Sequence, residues 1–170
     1  MDLLDHTLFS WLAAGYQANP PLIVVARLIA TYAIGAVPIT LSAIWILRPD
    51  KRNNVLTAIL AGVIGLLAAE ALSTWIGRPR PFMIGLSPIY LPHAAEGSFP
   101  SAHAAVMLAV SFALLRSEGI RFAGWLLLLA GLVTGWARVY TGLHFPFDIA
   151  GSAVLSAGIA WMSAPPSTPA

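Results

Sequence analysis

Val55-Leu56-Thr57-Ala58-Ile59-Leu60-Ala61-Gly62-Val63-Ile64-Gly65-Leu66-Leu67-Ala68-Ala69-Glu70-Ala71-Leu72-Ser73-Thr74-Trp75-Ile76 is a run of 22 residues with a single charge. As a helix rising about 1.5 Å per residue it matches a hydrocarbon core of roughly 30 Å. Four more apolar runs surround it: Leu22 to Leu47, Ser101 to Leu115, Phe122 to Ala137 and Pro146 to Met162. The run from Ser101 is short for a span. Hydrophobic residues make up 58% of the 170, charged residues only 9%, and the mean hydropathy is +0.80. An average soluble domain carries about 25% charge. The chain therefore reads as an all-α integral membrane protein, a bundle of five transmembrane helices. No polar linker divides it, so residues 1–170 read as one domain.

The segment before the first run differs. Leu3, Leu4, Thr7, Leu8, Trp11 and Leu12 recur at helical spacing. They predict an amphipathic helix lying in the membrane interface over residues 1–19, ending near Asn19-Pro20-Pro21. Asp2 is its candidate cap, Asp5 follows in capping-box register, and His6 falls on the polar side. Two acids stand where a signal peptide would be positive, so no cleavable signal is expected. A flexible tail is expected over residues 165–170. The chain has no cysteine, which excludes disulfides and thiolate metal sites. A net charge of +2 rests on few residues and gives no reason to expect nucleic acid as a partner.

Charge placement sets an orientation. Arg48, Lys51, Arg52, Arg116 and Arg121 fall on one side of a five-span count, which marks that side as cytoplasmic. Three polar clusters then converge on the opposite, outer side. They are Arg78-Pro79-Arg80-Pro81, then Pro100-Ser101-Ala102-His103, then Arg138 with His144 and Asp148. Ionisable groups are costly to keep in a membrane chain, so their default reading is functional.

Each cluster has a chemistry. A helix should start near Phe145 or Pro146, because proline suits a first helical turn. His144 then sits at its mouth, with Asp148 about one turn in on the same face. A carboxylate there can accept from one imidazole nitrogen and leave the other free as a nucleophile. The plainer reading is a polar pair at the membrane boundary. Ser101 looks like a helix N-cap, and the free N–H groups that follow it favour an anion. His103, in the first turn, is a candidate general acid; a capped helix with an interfacial histidine is the plainer reading. Arg78 and Arg80 alternate along an extended, proline-locked segment, so only one need face the site. Either can fork onto phosphate oxygens or anchor a lipid headgroup.

Order and spacing together resemble the type 2 phosphatidic acid phosphatase superfamily. That pattern is Lys, six residues, Arg-Pro; then Pro-Ser-Gly-His; then Ser-Arg, five residues, His, three residues, Asp. Here Arg80-Pro81, Pro100-Ser101-Ala102-His103, and Ala137-Arg138 through His144 to Asp148 fit it. The run from Arg80 to Gly85, with Leu91-Pro92-His93-Ala94-Ala95 and Ser98-Phe99-Pro100-Ser101, looks like bacterial undecaprenyl-diphosphate phosphatases of the bacitracin-resistance type.

The resemblance implies that His144 attacks the terminal phosphorus of an isoprenoid lipid diphosphate and becomes a phosphohistidine. It implies that Asp148 orients His144 and that His103 protonates the leaving oxygen. Arg80, Arg138, Ser101 and the backbone at Ala102 would hold the phosphate oxygens. It implies no metal and no cofactor, and a place in a bacterial plasma membrane with the site facing outward. Three positions depart from the pattern. Ser73 stands where the lysine is expected, with Arg78 as the candidate substitute cation. Ala102 replaces glycine, and Ala137 replaces the serine before Arg138.

Other residues carry readings of their own. Glu70 and Arg27 lie at nearly matching depths, which predicts an ion pair; the alternative puts Glu70 behind the active site. His93 either contacts the diphosphate or is a solvated loop residue. Gly131 and Gly135 have the spacing of close helix packing, internal first and dimeric second. Trp11, Trp45, Trp75, Trp125 and Trp161 read as interface anchors. A phosphatase for another lipid phosphate, a lipid phosphotransferase and a non-enzymatic transporter or scaffold are the competing functions. Against a transporter, the polar groups gather at one face rather than at the midplane. Oligomeric state is not legible in the sequence.

Overall fold

The computed structural model describes residues 2–163, so the tail expected at 165–170 lies outside the described residues. The described residues fold into seven α-helices with no strand. These are α1 (Asp2–Leu12), α2 (Pro20–Tyr32), α3 (Ala36–Leu47), α4 (Arg52–Ile76), α5 (Ala102–Leu115), α6 (Arg121–Tyr140) and α7 (Pro146–Met162). Three helical stretches are long and apolar enough to cross a membrane: Pro20–Leu47, Pro49–Ile84 and Arg121–Tyr140. The apolar helices α5 and α7 are shorter, with 14 and 17 residues.

The first apolar run is broken into α2 and α3 by a 3-10 turn at Ala33–Gly35. Pro38 supplies the reason. It has no N–H to give the carbonyl of Ile34, and its ring crowds that carbonyl.

Helix α5 sits at the centre and packs on α4, α6 and α7. Its buried residues are mostly small: Ala104, Ala105, Ala109, Ser111 and Ala113, with Met107, Leu108, Val110 and Leu114. Ala58, Ala61 and Ala69 of α4 are buried as well. Lipid is as apolar as leucine, so close backbone approach rather than water exclusion holds such helices together. Gly131 and Gly135 serve this internal packing. A Cβ at Gly135 would stand 2.8 Å from the Ile149 side chain, and one at Gly131 would stand 3.3 Å from Met107. Large apolar side chains such as Ile59, Leu60, Leu67 and Leu129 are turned outward instead.

The bundle has two distinct ends. At one, Arg48 donates to the Gly119 carbonyl at 3.2 Å and Asn54 to Ser117 Oγ at 3.0 Å. The guanidinium of Arg116 lies 5.6 Å from the Trp161 ring. At the other end α4 and α6 finish, α5 and α7 begin, and α1 docks. All five anticipated tryptophans are exposed near helix ends, Trp11 and Trp75 at the second end and Trp45, Trp125 and Trp161 at the first.

Two expectations are corrected. Arg27 and Glu70 are both exposed, and no ion pair joins them among the described residues. The reason is helix pairing: α2 packs mainly on α6, whereas α4 packs on α5. Helix α1 is the second. It ends at Leu12 and exposes Leu3, Leu4 and Trp11, as an interfacial helix should. However, Asp5 is fully buried and Phe9 packs on Val139 and Phe145. The His6 ring stacks on Phe145 with centroids 5.1 Å apart. Asp5 therefore belongs to the protein interior and not to a capping box.

Candidate active site

His144 lies in the short link between α6 and α7. The N–H groups of Leu143 and His144 both donate to the Arg138 carbonyl, at 3.0 and 3.3 Å, so the chain turns back on the end of α6. Gly142 makes that turn with φ +77°, a conformation costly for any other residue. The turn delivers a buried imidazole against the loop of residues 97–101.

Nδ1 of His144 lies 2.8 Å from the carbonyl oxygen of Ser98. A carbonyl only accepts, so the hydrogen sits on Nδ1 and Nε2 keeps its lone pair. Nε2 faces Arg80 Nη1 at 3.1 Å. Asp148 Oδ2 also approaches Nδ1, at 3.4 Å. Its shorter bonds go elsewhere: Oδ2 accepts from the Phe145 N–H at 2.7 Å, and Oδ1 accepts from Arg78 at 2.8 Å. Orientation of His144 is thus shared between a main-chain carbonyl and Asp148. Burial first, then the charges of Arg138 and Arg80, hold the His144 pKa well below the ordinary 6.5. The imidazole is neutral and can act as a nucleophile.

Around it stand two enclosed arginines. Arg80 donates through Nη1 to the Leu143 carbonyl at 3.1 Å and through Nη2 to the Gly97 carbonyl at 2.9 Å. Arg138 donates through Nη1 to the Ala30 carbonyl at 3.3 Å. Its Nη2 lies 3.4 Å from His93 Nε2. Ser101 occupies the N-cap position of α5, yet its hydroxyl makes no cap bond. Three buried side-chain atoms have no protein partner among the described residues: Arg80 Nε, Arg138 Nε and Ser101 Oγ. All three are donors. Buried cations with unused donors are costly, and a multivalent oxyanion answers both the charge and the donors. The N–H of Ala102, which opens α5, has no intrahelical acceptor and adds to that set.

The remaining candidates separate clearly. His103 is half-buried in the first turn of α5. His93 is drawn to Arg138, and burial lowers its pKa, so it is more than a solvated loop residue. Arg78 is not a substitute cation for the anion. It is spent between Asp148 and Asp5, at 2.8 and 2.7 Å, with its guanidinium over the Phe145 ring. The alternation of Arg78 and Arg80 holds, with Arg80 the one facing His144. Ser73 is a clasp: its hydroxyl donates at 2.7 Å to the Gly97 carbonyl, the same oxygen that receives Arg80. Glu70 makes no hydrogen bond to these residues. Among the described residues no group of three or more His, Asp or Glu converges as a metal site would.

Sequence reasoning missed the carbonyls of Ser98, Gly97 and Leu143, because every residue has one and no motif marks them. It also missed Asp5. The four-residue spacing of Asp5 and Phe9 was the available signal, since it puts both on one helix face.

The model of the PAP2 superfamily matches residues 53–165, which contain all three clusters. The chain is 34% identical over 154 residues to undecaprenyl-diphosphatase BcrC of Bacillus subtilis, covering 90% of this chain and 79% of that protein. It is 30% identical over 170 residues to the putative undecaprenyl-diphosphatase YbjG of Escherichia coli, covering 96% of this chain and 85% of that one. The crystal structure of Aquifex aeolicus LpxE superposes with a TM-score of 0.74 at 25% identity, covering 92% of each chain.

Proposed function

The chain belongs to the PAP2 superfamily, and from that premise we propose that it is a lipid-diphosphate phosphatase which converts undecaprenyl diphosphate to undecaprenyl phosphate. The observation that carries this reading is the set of unpartnered donors on Arg80, Arg138 and Ser101 around a neutral histidine whose Nε2 lone pair faces Arg80.

His144 Nε2 attacks the terminal phosphorus. The bond from phosphorus to the bridging oxygen breaks, and His103 gives that oxygen its proton. Undecaprenyl phosphate leaves, and a phosphohistidine remains. Water then attacks the same phosphorus while His103 takes its proton, and inorganic phosphate and free His144 are restored. Arg80, Arg138, Ser101 Oγ and the Ala102 N–H hold the equatorial oxygens. They stabilise charge as it spreads over those oxygens in the transition state, commonly the largest catalytic contribution. His93, 3.4 Å from Arg138, would contact the diphosphate.

A count of five spans, with α2 and α3 taken as one, supports a site on the outer face of a bacterial plasma membrane, opposite the basic end. There the enzyme would recycle the lipid carrier of cell-wall synthesis. The test is a panel of purified lipids: undecaprenyl diphosphate, phosphatidylglycerol phosphate and phosphatidic acid. Highest kcat/KM on the diphosphate, a trapped phosphohistidine, and loss of about a thousandfold or more in His144→Ala are expected. A preference for another lipid overturns the substrate; an active His144→Ala overturns the mechanism.

A further inference from the structure

One buried carboxylate belongs to no motif. Asp5 is on α1, the helix that otherwise reads as a membrane-interface anchor, and its side chain is fully enclosed. Its Oδ1 accepts from the N–H of Phe147 at 2.9 Å, and its Oδ2 accepts from Arg78 Nη2 at 2.7 Å. The other fork of Arg78 reaches Asp148 Oδ1 at 2.8 Å. Asp148 in turn caps the Phe145 N–H and stands 3.4 Å from His144 Nδ1. Four side chains therefore form one chain of contacts: Asp5, Arg78, Asp148, His144.

The arrangement has two mechanical consequences. The N–H of Phe147 in the first turn of α7 has no helical acceptor and is met by Asp5 of α1, while Asp148 of α7 itself meets the N–H of Phe145 just before the helix. The start of α7 is thus held to α1, and with it the link that carries His144. Arg78 is also kept from the phosphate site, because two carboxylates and the Phe145 ring 4.1 Å away fix its guanidinium. Asp148 alone would have to hold that cation and orient the imidazole. With Asp5 sharing Arg78, Asp148 keeps its second oxygen beside Nδ1.

We propose that Asp5 is a positioning residue for the phosphatase reaction, acting through Arg78 and Asp148 to hold His144 with Nε2 toward the phosphorus. This rests on the function proposed above. Helix α1 is then part of the catalytic framework as well as an anchor.

The experiment compares purified Asp5→Asn, Asp5→Glu, Arg78→Gln and the double variant Asp5→Asn/Arg78→Gln on undecaprenyl diphosphate in mixed micelles. Asp5→Asn keeps the shape and removes the charge. Its kcat is expected to fall about 10- to 100-fold with KM little changed, by analogy with the loss when the partner that orients a metal-ligating histidine is removed. Asp5→Glu should recover most of the rate. The double variant should be no slower than Arg78→Gln, because both changes break the same contact chain. Wild-type kcat in Asp5→Asn, a loss confined to KM, or additive losses in the double variant each overturn the proposal. If Asp5→Asn does not fold, Arg78→Lys decides: reduced kcat at constant KM supports the proposal and wild-type kcat overturns it. His144→Ala runs alongside. An active His144→Ala removes the underlying mechanism, whereas an inactive one beside a wild-type-like Asp5→Asn removes only the role of Asp5.

Discussion

In the proposed mechanism the chemistry at His144 turns on which nitrogen carries the hydrogen, and a main-chain carbonyl decides it. The pair His144 and Asp148, four apart, was legible in the sequence; Ser98 was not, since its contribution is a carbonyl that any residue could supply. The environment of His144 lowers its pKa, so the imidazole stays neutral as pH falls through 6.5 and becomes charged only further into acid. Histidine NMR of the solubilised enzyme, with the signal assigned by its absence from His144→Gln, should give a midpoint below 6.5. A midpoint at or above that value contradicts the burial argument. Ser101 offers a cleaner separation of stability from catalysis. Its hydroxyl has no protein partner among the described residues, so Ser101→Ala should leave the melting temperature unchanged. Loss of one donor to the developing charge should cost about 10- to 1,000-fold in kcat. A large drop in stability instead would mean that the hydroxyl serves the fold.

Among the elements, the loop from Arg78 to Ser101 shows how a departure from a family pattern is absorbed. Ser73 at the end of α4 supplies no charge where a lysine is the family habit. It ties down Gly97, and Gly97 anchors Arg80. The approach is close enough that a Cβ on Gly97 would lie 2.1 Å from the Ser73 carbonyl oxygen. Gly97→Ala should therefore displace the loop and cut turnover far more than Ser73→Ala, which loses one hydrogen bond worth about 1 kcal/mol. Equal effects in a kinetic comparison would show that the loop moves freely. The helical runs themselves were readable from hydropathy. The break between α2 and α3 was also readable in principle, at Pro38, but a continuous apolar run masked it. Helix α1 was half readable. Its exposed leucines follow the interfacial pattern, whereas the burial of Asp5 depends on Arg78, 73 residues away.

For the whole molecule, Arg48, Lys51, Arg52, Arg116 and Arg121 gather at one end and the unpartnered donors of Arg80, Arg138 and Ser101 at the other, which is the basis for the proposed orientation. The chain has no cysteine, so single cysteines report cleanly on sidedness. In intact cells a membrane-impermeant maleimide should label Ala95→Cys directly and Glu118→Cys only after permeabilisation. The reverse pattern would invert the topology. The sequence by itself determined that this is a helical membrane protein whose scarce polar residues fall into three clusters of fixed spacing. Those properties follow from local quantities: hydropathy, spacing along one chain, and the scarcity of charge in an apolar background. Only the tertiary structure decided that Arg78 is locked between Asp5 and Asp148, that Ser73 acts as a clasp, and that Arg27 and Glu70 do not meet. Those outcomes depend on which helices are neighbours. Interchangeable apolar faces encode that only weakly, and close packing of small residues on α5 resolves it.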